Sequence, residues 1–233
     1  MENKIDVGII GAMEPEVAGL IERLSDRREE TLGGITFHRG TLFGRQVAVA
    51  RCGVGKVFAA AAASAMIIAY SPRLIVNTGV AGALRPGLST GDIVIADSLC
   101  QHDMDTSPLG DPVGLVSGIN KIYFETDERA VGILLSSALE LGISASLGRI
   151  ATGDRFVADS EERARISETF GASACEMEGC AVGQVAFINS TPFVIVRAIS
   201  DSADGTACED YPVFLGKAAK NSALLTLALV ERF

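Results

Sequence analysis

Short runs of apolar, mostly β-branched residues recur along this chain, each stopped by glycine or a polar residue, with helix-like segments between them. Ile5 to Ile10 is almost continuously apolar and ends at Gly11; Leu74 to Thr78, Asp92 to Ala96 and Phe193 to Ile199 repeat the pattern. A run without polar alternation suits a strand covered on both faces. Ser144 to Ile150 also reads as a strand, and Gly34 to His38 with Thr41 to Arg51 reads as a hairpin broken by Gly40 and Gly44. Between these lie helical segments. Glu14 to Leu24 places acids in its first turn, where the helix dipole favours them. Gly53 to Lys56 feeds an alanine-rich helix. Val131, Leu134, Leu135, Ala138 and Leu139 share one helical face that stops at Gly142. Asp159 and Glu162 have capping-box spacing, and Gly179 to Asn189 and Tyr211 to Arg232 are helical in composition. Alternating β and α segments predict an α/β fold: one domain over residues 1–233, with a mixed central sheet flanked by helices on both faces. Cys100 to Phe124, with Pro108 and Pro112, is either a functional loop or two short irregular pieces.

Composition narrows the function classes. The formal charge is −9, from 20 basic and 29 acidic residues, which disfavours a nucleic-acid binder that must neutralise phosphates. Mean hydropathy is +0.33, yet the longest apolar stretch, Val57 to Tyr70, is alanine-rich and too short to span a bilayer. The N-terminus lacks signal-peptide features, so a cytoplasmic protein without membrane contact is expected. Five cysteines without a CxxC pair, and only two histidines, give a structural zinc site little support and suit buried thiols in a reducing compartment.

Four segments fall where strands meet loops, the usual ligand side of an open α/β sheet. In Gly11-Ala12-Met13-Glu14-Pro15-Glu16, Glu16 is either ordinary helix-start charge or a carboxylate that holds a water. In Asn77-Thr78-Gly79-Val80-Ala81-Gly82, small residues let backbone N–H groups approach a ligand, although neither a dinucleotide fingerprint nor a P-loop is intact. Glu176-Met177-Glu178-Gly179 joins a strand to a helix; in an extended segment Glu176 and Glu178 face one side and one cavity, or they are solvated helix-start acids. In Val194 to Asp201, Arg197 sits inside a buried strand and needs a partner, for which Glu178 is a candidate. Asp201, beside Ser200, is a general acid or an ordinary turn aspartate.

Taken in order and spacing, GIIGAMEPE, RCGVGKV, NTGVAGAL, TGDRF, CEMEG and VRAISDSAD resemble the 5′-methylthioadenosine/S-adenosylhomocysteine nucleosidases of the nucleoside phosphorylase superfamily, from Val7 to the last helix. The resemblance implies a nucleoside phosphorylase-like fold and hydrolysis of the N-glycosidic bond, releasing adenine. It implies that Glu16 and Glu178 position the attacking water, that Glu178 also binds the ribose hydroxyls with Met177 beneath the sugar, and that Arg197 orders the acidic pair. It implies that Asp201, oriented by Ser200, protonates adenine N7. It implies as well that Phe156 stacks on the base, that the Val157 backbone reads its Watson–Crick edge, and that Tyr211 helps enclose the 5′-alkylthio end. Met13, Val80, Ala81, Gly82, Glu176 and Phe214 complete the substrate-binding set. No metal or organic cofactor is implied, and the partner is a second copy of the chain that completes the 5′ pocket of a homodimer.

The chemistry fits these residues. Adenine leaves poorly as an anion, and an acid at N7 removes that penalty. The ribose passes through an oxocarbenium-like state that nearby carboxylates stabilise. For Asp201 to donate at neutral pH its proton affinity must rise, as burial would make it. A phosphorylase needs cationic and small donors for phosphate; the related purine phosphorylases have Arg and Ser at the positions of Asn77 and Val80, and here Glu16 repels a dianion instead. Val80 stands where many family members have Ser, and Tyr211 where Phe is frequent, which bears on the 5′ substituent. The alternatives are a 6-amino-6-deoxyfutalosine hydrolase, a nucleoside phosphorylase, or a non-enzymatic nucleoside-binding protein.

Overall fold

A computed structural model describes residues 4–201 and the last helix, the latter with its backbone from residue 207 and its side chains from residue 215. The strands are β1 (Val7–Gly11), β2 (Ser25–Leu32), β3 (Ile35–Leu42), β4 (Arg45–Arg51), β5 (Leu74–Ala83), β6 (Ile93–Gln101), β7 (Phe124–Glu125), β8 (Ala145–Thr152), β9 (Ala172–Glu176) and β10 (Phe193–Asp201). The helices are α1 (Glu14–Ile21), α2 (Lys56–Tyr70), α3 (Glu128–Leu141), α4 (Ser160–Phe170), α5 (Gly179–Ile188) and α6 (Ala207–Arg232).

Among the described residues, the ten strands join one mixed sheet in the order β10-β6-β8-β9-β5-β1-β4-β3-β2, with β7 on β6. Because β10 also pairs with β5, the strands β5, β10, β6, β8 and β9 close into a ring. β1, β4, β3 and β2 extend from it as an open wing. The predicted mixed sheet is observed; its closure is a feature that alternation alone does not reveal.

Successive strand residues point to opposite faces, and each face has its own core. Ile10, Ala48, Ala50 and Ile75 pack with Ala59, Ala62, Ala63 and Met66 of α2 and Val182 and Ala186 of α5. Ile9, Val47, Val49 and Val76 pack with Val17 and Leu20 of α1, Leu134 of α3 and Leu225 and Leu229 of α6. The continuous apolar runs are therefore strands covered on both sides, as predicted. Among the described residues, no helix is long and apolar enough to cross a membrane.

Several boundaries differ from the sequence reading. β2 has no apolar signal because it is an almost wholly exposed edge strand, SDRREETL. β3 runs through Gly40, which lies tight against Ser25 and Leu24; the hairpin turns instead at Phe43 and Gly44, with φ of 51° and 77°. Cys100 to Phe124 divides into the end of β6, a 3₁₀ turn at Ser107–Leu109, a bridge between Val116 and Lys121, and the start of β7. β5 does not stop at Thr78 but carries on through Gly79 and Gly82 to Ala83.

Candidate active site

The glycines of β5 are explained by what faces them. A Cβ on Gly79 would lie 2.5 Å from Glu16 Oε1, and one on Gly82 would lie 2.9 Å from Asp201 Oδ2. Both glycines clear space for carboxylates arriving from α1 and β10. Those carboxylates line a cleft enclosing about 540 Å³ of empty space, part of it open to solvent. Glu16, Glu176, Glu178, Ser200 and Asp201 border it, with Met13 and Met177 on its wall. Val80, Ala81, Gly82, Phe156 and Val157 also border it. Arg197 is the one described candidate that does not; it lies behind the acids, fully buried. Tyr211 and Phe214 lie outside the residues whose side chains are described.

Glu16 enters on the first turn of α1. Its Oε2 accepts from the N–H groups of Ala12 and Met13, both at 2.8 Å, and its Oε1 accepts from Val80 N–H at 3.1 Å. This buried carboxylate therefore occupies a nest of backbone donors. Burial raises its pKa, while Arg197 and the three N–H bonds oppose the rise.

Glu176 ends β9, and Glu178 begins α5 with φ −134° and ψ −37°. The predicted extended i, i+2 geometry does not occur, because the chain turns into the helix between them. The two acids consequently have different environments. Glu176 is the direct partner of Arg197, whose Nη2 and Nε both donate to its Oε2. Oε2 also accepts from Glu178 N–H at 3.1 Å and Gly179 N–H at 2.7 Å, and Oε1 accepts from Thr152 Oγ1 at 2.5 Å. Glu178, expected as the partner, is only 3.9 Å from Arg197 Nη2, and its Oε1 accepts from Gly55 N–H at 2.8 Å. Arg197 also donates to Asn77 Oδ1, and Asn77 Nδ2 donates to Ile10 O at 2.8 Å.

Glu178 is consequently the less compensated acid. Burial, aided by the neighbouring Glu176, pushes its pKa from 4.5 up to about 7, against the pull of Arg197 and Gly55 N–H. A raised carboxylate pKa means that the folded chain binds the proton more tightly than the unfolded chain. This group's contribution to stability is therefore present at low pH and is lost as pH rises from about 4.5 to about 7. Calorimetric melting of Glu178→Gln is expected to show a higher Tm than wild type at pH 8 and a smaller decline between pH 5 and pH 8. The gain is at most on the order of 3 kcal/mol, since each pKa unit is worth about 1.4 kcal/mol. A lower Tm at pH 8 would show that the carboxylate stabilises the fold.

Asp201 ends β10, and Ser200 Oγ donates to its Oδ1 at 2.7 Å, as the sequence reading expects. Its other oxygen accepts from a group that reading missed, the buried guanidinium of Arg163 at 2.5 Å. Arg163 hides in the acidic and basic run Ser160-Glu161-Glu162-Arg163-Ala164-Arg165. The available signal was its helical register with Ile166 and Phe170, the other buried residues of α4. The predicted cap is present, with Asp159 accepting from Glu162 N–H at 2.9 Å; the Glu162 carboxylate turns to Arg165.

Comparison with known proteins agrees with this arrangement. A family model described as the phosphorylase superfamily matches residues 6–231. A 5′-methylthioadenosine/S-adenosylhomocysteine nucleosidase of Shewanella pealeana is 39% identical over 228 residues, covering 97% of this chain and 99% of its own. The chain belongs to the 5′-methylthioadenosine/S-adenosylhomocysteine nucleosidase family of that superfamily. The Neisseria meningitidis nucleosidase in complex with methylthio-immucillin-A superimposes with a TM-score of 0.94 at 36% identity, covering 98% of this chain and 99% of its own. A futalosine hydrolase of Helicobacter pylori is also similar, with a TM-score of 0.94, 34% identity and 98% of each chain covered.

Proposed function

We propose that the protein hydrolyses the N-glycosidic bond of 5′-methylthioadenosine and S-adenosylhomocysteine, releasing adenine and the 5′-thio-ribose. The observation that carries hydrolysis over phosphorolysis is the seating of Glu16. The N–H groups of Ala12, Met13 and Val80, which an anionic nucleophile would need, already donate to its carboxylate. Of the arginines near the cleft, Arg197 is committed to Glu176, Arg163 to Asp201, and the exposed Arg155 lies 3.6 Å from Glu162. A phosphate dianion would meet negative charge there, whereas a neutral water finds acceptors.

In this reading Glu16 and Glu178 aim that water at the anomeric carbon, which supplies the positional part of the rate. Glu178 also holds the ribose hydroxyls, and its ionised form stabilises the oxocarbenium-like state. Arg197 fixes Glu176 and sits near Glu178 without touching substrate. Asp201, with Ser200 beside it, gives its proton to N7. Phe156, half exposed at the cleft, stacks on adenine, and the Val157 backbone reads its Watson–Crick edge. Met13, Met177, Val80, Ala81 and Gly82 shape the sugar and base walls, and Tyr211 and Phe214 are assigned to the 5′ side.

Adenine release from 5′-methylthioadenosine, S-adenosylhomocysteine and 6-amino-6-deoxyfutalosine, with and without phosphate, tests this. The rate with the two thio-nucleosides is expected to be independent of phosphate. Phosphate-dependent formation of a ribose-1-phosphate would overturn it. Preference for the futalosine derivative would move the protein toward its Helicobacter pylori relative.

The working unit is proposed to be a homodimer in which the partner completes the 5′ pocket. Val57 and Ile68 are about 80% exposed on one stripe of α2, with Phe58 and Val54 also exposed at its start, and Leu109 is exposed in the 3₁₀ turn between β6 and β7. The four described cysteines are buried free thiols, which supports the cytoplasm as the compartment.

A further inference from the structure

Arg163 connects two parts of the cleft that the nucleosidase reading treats separately. Its Nε donates to Val157 O at 3.0 Å, its Nη1 to Ala83 O at 3.1 Å and its Nη2 to Asp201 Oδ2 at 2.5 Å. A guanidinium is planar and rigid, so these three contacts fix the Val157 carbonyl and the Asp201 carboxylate relative to each other. Gly82 leaves the room required, since a Cβ there would come within 3.4 Å of Arg163 Nη2 and 2.9 Å of Asp201 Oδ2. Adenine is itself a rigid plane, with a set separation between its Watson–Crick edge and N7. A carbonyl oxygen has two lone pairs, so Val157 O can accept from Arg163 and from the base together.

We infer that Arg163 is a positioning residue for the protonation step, acting as a spacer that holds Asp201 at the N7 distance from the backbone that reads the base. The inference rests on the nucleosidase reading above. It assigns to α4, whose sequence looks like a solvated surface helix, a role in leaving-group activation. Among the described residues, Arg163 from α4 pairs with Asp201, and the Cys175 thiol of β9 lies close to both. Burial pushes the Cys175 thiol up to about 12, so it stays neutral.

The test compares wild type, Arg163→Lys and Arg163→Gln on two substrates that differ only in the leaving group. One is 5′-methylthioadenosine. The other is a 5-methylthioribosyl 4-nitrophenolate, whose leaving group needs no proton. For Arg163→Gln, kcat on the adenine substrate is expected to fall roughly 10²-fold, the scale of a misplaced reacting group, while kcat on the nitrophenolate changes by less than about threefold. Lysine can replace one of the three contacts, so Arg163→Lys is expected to fall between wild type and glutamine. Equal losses on both substrates, or no loss on either, would overturn the inference. If Arg163→Gln does not fold by circular dichroism, Arg163→Lys carries the same comparison. If neither folds, Arg163 is a folding residue and the inference fails. Wild type releasing no adenine would sink the nucleosidase reading itself, which is distinguishable from an active wild type insensitive to Arg163.

Discussion

Asp201→Asn is expected to lower kcat for adenine release by ~10²–10⁴-fold, the range that a positioned proton donor contributes. The substitution keeps the shape of the side chain. An asparagine can turn its oxygen to Arg163 Nη2 and its amide to Ser200 Oγ, the two partners that Asp201 has now. The fold should therefore survive, and KM should change little. What is lost is the proton for N7, so adenine must leave as a poor anion. Steady-state adenine release at pH 7 checks this, and a loss below about tenfold would place the proton donor elsewhere.

Glu178→Gln carries the second large effect, a kcat loss of roughly 10²–10³-fold, comparable to the removal of one preorganised group facing developing charge. Its structural cost is small, because an amide oxygen can still accept from Gly55 N–H and Arg197 keeps its contacts to Glu176 and Asn77. The pH dependence gives a sharper signature. The carboxylate must be ionised to hold water and stabilise the cationic sugar, and its pKa is pushed up to about 7. In wild type, kcat/KM should then fall tenfold per pH unit on the acid side of about 7. The same limb should be absent from Glu178→Gln, whose residual activity has no such group to protonate. A limb that persists in the variant would belong to another acid, with Glu16, whose pKa burial also raises, the first to examine.

Most of this architecture was legible because strands buried on two faces have no polar alternation, and β1, β5, β6 and β10 all show it. β2 was not legible, since an exposed edge strand carries no burial signal. The ring closure of β5, β10, β6, β8 and β9 depends on pairing between strands far apart in sequence, which local periodicity does not encode. In the site, acidic and polar residues where strands meet helices suggested that Glu16, Glu178, Ser200 and Asp201 would gather, and they do border one cleft. The sequence reading named Glu178 as the candidate partner of Arg197; because the chain turns between the two acids, Glu176 takes the direct hydrogen bonds and Glu178 only a longer 3.9 Å ion pair, while both border the cleft. Arg163 was not legible as a site residue. Its neighbours are charged, and only the helical register with Ile166 and Phe170 places it inside. The glycines of β5 were noticed as small residues that allow close approach, but what approaches them, the carboxylates of Glu16 and Asp201, was not legible.

The most direct measurement of the central claim is a crystal structure of the protein with a non-hydrolysable 5′-methylthio adenosine analogue. The account predicts Asp201 within ~2.6–3.2 Å of the N7 position and one ordered water between Glu16 and Glu178 on the opposite side of the anomeric carbon. A base whose N7 has no carboxyl in reach, or an ordered phosphate in place of that water, would contradict it.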